Sequence, residues 1–87
     1  MIKIWAKVMK NNRISKQTTF FDNDPKMDYS KFFDYLTKIC HTLDIPTPII
    51  LKSHIFNYAK FNFVRFNRDD FVESVNFDCL WLENADR

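Results

Sequence analysis

Four side chains in this sequence have the chemistry to hold a soft metal ion: Cys40, His41, His54 and Cys79. Zinc sites draw on such ligands in short, regular spacings. The sequence has no CxxC and no HxxxH. Cys40 and His41 are adjacent, so on a helix they point about 100° apart and do not converge on one ion. The same residues offer a Cys–His combination for nucleophilic attack, Cys40 or Cys79 with His54. No local segment resembles an oxyanion hole, and both cysteines stand among apolar residues, which reads as core. Asp22-Asn23-Asp24 begins as a calcium loop does. The pattern then fails, with Lys26 fifth, Met27 in place of the required glycine and Phe33 in place of the final bidentate Glu. Asp69-Asp70 pairs two carboxylates, but acid–base work needs one of them buried opposite its partner. Adjacent acids in a turn read as solvated caps.

Glycine is absent from all 87 residues. Walker loops, GxGxxG fingerprints and GxSxG elbows all need glycine for tight turns or close backbone approach, so none exists here. The expectation is therefore a protein that is not an enzyme, with no cofactor and no metal.

The pattern with most functional content lies at the N-terminus. Lys3, Trp5 and Lys7 alternate along one strand face, and Lys16 and Thr18 are expected beside them on the next strand. Cations around an exposed aromatic can hold phosphates and stack a base. The bland alternative puts Trp5 under a helix and leaves the lysines as ordinary solvated residues.

These residues are placed by elements that the sequence predicts in order. Ile2, Ile4, Ala6 and Val8 alternate with Lys3, Trp5, Lys7 and Met9, the period of a half-buried strand. Residues 14–21 form a second strand after the Asn11-Asn12 turn. A helix follows over Tyr29–Leu43, with Asp28 or Ser30 as its cap. Phe32, Leu36, Ile39 and Leu43 form its apolar stripe, widened by Phe33 and Cys40. Asp44-Ile45-Pro46 ends it. Ile49–Leu51 reads as an edge strand. Ser53 caps a short helix over His54–Lys60, with Ile55, Tyr58 and Ala59 inward. Phe61–Phe66 is a strand of ambiguous register, because aromatics occupy both faces. Asn67-Arg68-Asp69-Asp70 is a turn, or the first turn of a brief helix through Glu73. Phe77–Glu83 is the last strand, with Cys79 and Trp81 on one face and Leu80 and Leu82 on the other. The fold class is α+β: an antiparallel or mixed sheet of 4–5 strands, with one main and one short helix on one face, in a single domain over residues 1–87. Without glycine, left-handed backbone must fall on Asn or Asp.

Ile2-Lys3-Ile4-Trp5-Ala6-Lys7, the run from Ile39 to Pro48, and Phe71-Val72-Glu73-Ser74-Val75-Asn76-Phe77-Asp78 together resemble small uncharacterised proteins of low-GC Gram-positive bacteria. The resemblance covers most of the chain. It implies a bacterial, cytoplasmic setting and brings no activity, ligand or catalytic residue.

Charges are unevenly placed. Residues 1–21 carry Lys3, Lys7, Lys10, Arg13 and Lys16 with no acid, whereas residues 69–87 carry six acids against Arg87. The first and last strands are therefore expected to be neighbours. No signal-peptide pattern and no membrane-length apolar run occurs, so the expected location is cytoplasmic with both cysteines reduced. By elimination, the expected function is a small interaction or accessory protein with a protein partner. The alternative is a nucleic-acid-binding module using the basic hairpin face, and an enzyme with an unrecognised site stands third.

Overall fold

The computed structural model describes residues 1–86. Strands β1 (Ile2–Lys10) and β2 (Arg13–Asp22) form the expected antiparallel hairpin. Asn11 and Asn12 make its two-residue turn at φ 54° and 63°. Two successive left-handed residues suit a hairpin because they match the twist of the strands. The other positive-φ residues, Asp44 and Asn62, end the two helices in the same way. Asn and Asp thus do what glycine does in many helix C-caps.

One 3-10 turn (Tyr29–Lys31) leads into helix α1 (Phe32–Leu43). Asp28 caps it, accepting hydrogen bonds from the Ser30 N–H at 3.0 Å and the Ser30 hydroxyl at 2.6 Å. Phe32, Leu36, Ile39, Cys40 and Leu43 are buried as expected, and Tyr35 joins them. Phe33 is instead exposed, since it lies a third of a turn round from Phe32 and off the stripe.

Helix α2 (Lys52–Phe61) begins before Ser53, with Leu51 at the N-cap position. The His54 Nδ1 atom accepts the Leu51 N–H at 2.9 Å and replaces the expected serine cap. Its buried face is His54 and Tyr58, one turn apart, whereas Ala59 is exposed and Ile55 half-buried. Ile49–Leu51 forms no strand. Ile49 donates one backbone hydrogen bond, 2.7 Å to the Asp70 carbonyl.

Strands β3 (Phe63–Asn67) and β4 (Cys79–Asn84) complete a four-stranded sheet in the order β2-β1-β4-β3, antiparallel throughout. The architecture is α+β. The first and last strands are neighbours, paired from Ile4↔Asn84 to Met9↔Cys79. Val64, Phe66, Leu80 and Leu82 join Ile2, Ile4, Ala6 and Val8 in one core under both helices. Burying a Leu, Ile or Val side chain contributes about 1.5–3 kcal/mol. Among the described residues, no helix is long and apolar enough to cross a membrane.

Candidate functional site

The helices cover one face of the sheet, so the side chains between the core residues stand on a face with no helix over it. On the two central strands these are Lys3, Trp5 and Lys7 of β1 and Trp81 and Glu83 of β4. Edge strand β3 adds Phe63 and Arg65, and edge strand β2 adds Gln17, Thr19 and Phe21.

These residues form a connected layer. Lys7 Nζ lies 4.0 Å from the Trp5 ring centroid and 4.9 Å from that of Trp81. It is also 4.0 Å from Glu83 Oε1, and only 14% of its side chain is exposed. Trp81 stacks on Phe63 at 5.0 Å between centroids and 12° between planes, with Arg65 5.6 Å from the Trp81 ring. The Trp5 indole N–H donates to Gln17 Oε1 at 3.0 Å. Lys3 lies 5.6 Å from the exposed Phe21 ring. Each cation–π contact contributes about 0.5–1 kcal/mol in such half-exposed settings. The face is thus an aromatic ridge across the central strands, with three cations and one carboxylate.

Lys3, Trp5 and Lys7 therefore come together as the alternation predicts. Lys16 and Thr18 do not join them: they pair with Val8 and Ala6, on the helix side. The cause is one residue. The turn sets Lys10↔Arg13 and Met9↔Ile14. Continued without a break, that register would place Lys16 opposite Lys7 and Thr18 opposite Trp5. A β-bulge between Val8 and Met9 leaves Ser15 without a counterpart and shifts the pairing to Val8↔Lys16 and Lys7↔Gln17. Since faces alternate with period two, one extra residue reverses every later side chain. The shift separates two like charges. It brings Phe20 against Tyr35, 5.5 Å between ring centroids, and lets Lys16 Nζ donate to the Leu43 carbonyl at 3.0 Å. That carbonyl is at the negative end of α1.

The other candidates have structural partners. Asp24 accepts hydrogen bonds from the Tyr35 hydroxyl at 3.1 Å and Lys31 at 3.3 Å. Those bonds, Tyr35 first, hold its carboxyl below the usual 3.8. Burial, reinforced by Asp24, pushes the Tyr35 phenol up to about 12. Asp70 Oδ2 accepts the Asn67 N–H at 2.8 Å and lies 3.4 Å from His54 Nε2. Both ring nitrogens of His54 are thereby engaged within the fold. Cys40 is on the buried face of α1, where burial raises its thiol to about 11. Cys79 is on the opposite side of the sheet, paired with Met9, and burial raises its thiol too. With the sheet between them, they cannot form a disulfide. Among the described residues, no three His, Cys, Asp or Glu side chains gather as metal ligands.

Sequence reasoning missed Phe63, Arg65 and Gln17 as members of the site, and it placed Trp81 on a strand face without linking it to Trp5. The period-two pattern gives the face of a residue within its own strand. Only strand order joins two such faces into one surface, and nothing local encodes it. No family model, curated protein or solved structure matches the chain.

Proposed function

We propose that the chain is a non-enzymatic binding module that takes single-stranded nucleic acid on its helix-free sheet face. The observation that carries this reading is the placement of Trp5 and Trp81 on the two central strands, with Lys3, Lys7 and Arg65 around them. Every base has a π-face, so stacking on protein aromatics contributes about 1–3 kcal/mol per base with little sequence preference. The cations supply phosphate contacts along the strand. A cytoplasmic setting accompanies this reading, supported by two free, buried thiols.

A protein partner on the same face is the second reading. It is favoured by the Lys7–Glu83 pair, which uses one of the three cations internally. Trp and Arg are also the residues that most often anchor protein interfaces.

Fluorescence anisotropy with a labelled thymidine oligomer of about ten nucleotides separates the two. The expected result is binding at low salt with a log–log salt slope of about −1.4, Lys3 and Arg65 each releasing counterion while Lys7 stays paired with Glu83. Trp5→Ala should weaken it by roughly 1–3 kcal/mol, and Lys3→Glu and Arg65→Glu should each reduce it further. Absence of binding at 50 mM salt, or affinity that ignores all three substitutions, would overturn the nucleic-acid reading. Nuclease-resistant one-to-one capture of a protein, lost in Arg65→Glu, would assign the face to a protein instead.

A further inference from the structure

A second concave surface lies on the other side of the sheet, and its argument does not depend on the nucleic-acid reading. We propose that the cleft between the hairpin end and the loop before β4 binds a small organic anion with an apolar body. The cleft has a volume of about 490 Å³, within the 300–1,000 Å³ range of small-molecule sites. It sits where α1 stops, so the sheet beyond Leu43 is not covered by helix. Val8, Ile45, Val75 and Phe77 form its apolar wall, with Val8 and Phe77 buried. Lys10 and Lys16 bring positive charge to it, one from each hairpin strand. Among the described residues, Asp44 is the one carboxylate that lines it.

Three features make this a built site. The bulge delivers Lys16 here: in the unbroken hairpin register its ammonium would stand on the open face. Bulges are over-represented beside functional sites, where they re-aim side chains, and the bulged Ser15 itself lines the cleft. The Leu43 carbonyl holds the Lys16 ammonium at 3.0 Å. One of its three donors is thus spent on positioning, and two are left for an anion. The charge and the apolar wall together select for amphipathic anions. A bare ion lacks the body to fill the wall, and a neutral ring lacks the group the lysines attract.

The test is an NMR titration of the full chain with phenyl phosphate, with phenol and inorganic phosphate as comparison ligands. Saturating shifts are expected at Ser15, Lys16, Ile45 and Val75, with phenyl phosphate at least about tenfold tighter than either comparison ligand. Lys10→Met and Lys16→Met should each weaken binding by about tenfold. Lys38→Met, on the exposed side of α1, should leave it unchanged. Lys10 is exposed, so its variant stays informative even where Lys16→Met loosens the end of α1. Absence of shifts at millimolar phenyl phosphate overturns the proposal. So do shifts confined to the Trp5 and Trp81 face, or phenol binding as tightly as phenyl phosphate.

Discussion

Ile4 and Trp5 are consecutive residues of one strand and stand in different surroundings. Ile4 is fully buried in the core, whereas Trp5 stands on a half-exposed layer with Lys7 against its ring. The helix side is held by non-directional burial, with Leu36, Ile39, Phe66 and Leu80 at most 1% exposed. The open side is held by directional contacts between neighbours: Trp81 on Phe63, Lys7 between two indoles, Trp5 to Gln17. Burial contributes the larger free energy per residue. Stacks and cation–π contacts contribute less, and they keep ring edges and charges within reach of solvent. One sheet thus separates close-packed burial from directional surface contacts by residue parity.

Leu36 carries the largest expected effect. Leu36→Ala should destabilise the fold by about 2–4 kcal/mol in urea denaturation, because it opens a cavity under the middle of α1. A loss below about 0.5 kcal/mol would mean that the helix side does not carry the stability. Trp81→Ala removes a larger side chain from the open side. It should cost about 1.5–3.5 kcal/mol, the sum of its one stack and its two cation contacts. A cost above that of Leu36→Ala would make the open layer a second core and undo the contrast.

A smaller effect on the helix side depends on pH. Tyr35, on the helix side, has its phenol raised from 10.0 to about 12, chiefly by burial. A group raised on folding contributes stability that is full below its unfolded value and is lost as pH rises toward the folded one. Urea midpoints should therefore decline between pH 10 and about 12, and Tyr35→Phe should remove this component. Asp24 works in the opposite sense. Its lowered carboxyl contributes stability above pH 3.8 that is lost as pH falls below it. An alkaline decline unchanged in Tyr35→Phe would assign the titration elsewhere.

Much of the helix side was legible in the sequence. The alternation from Ile2 to Met9 had β-branched residues on one phase and charges on the other, so its inward face was clear. Asn11-Asn12 marked the turn, and the stripe from Phe32 to Leu43 marked α1. Phe61–Phe66 gave no contrast between phases, and the ladder decides it: Val64 and Phe66 turn in, Phe63 and Arg65 out. His54 read as a candidate catalytic base. Its position one turn before Tyr58 makes it part of the buried side of α2. Half of the candidate surface was visible as Lys3, Trp5 and Lys7, and the other half depended on which strand lies beside β1.

Ser15 carries a consequence of a different kind. A substitution alters one side chain, but a residue inserted into a strand alters what every later residue in that strand means. Because of it, Lys16, Thr18 and Phe20 belong to the interior side and Gln17, Thr19 and Phe21 to the outer side. No residue identity within that stretch encodes the assignment, which depends on a count of positions from the turn. The hairpin therefore stores part of its surface chemistry as length. A single in-frame deletion in β2 would do more to redistribute charge between the two sides than several point changes.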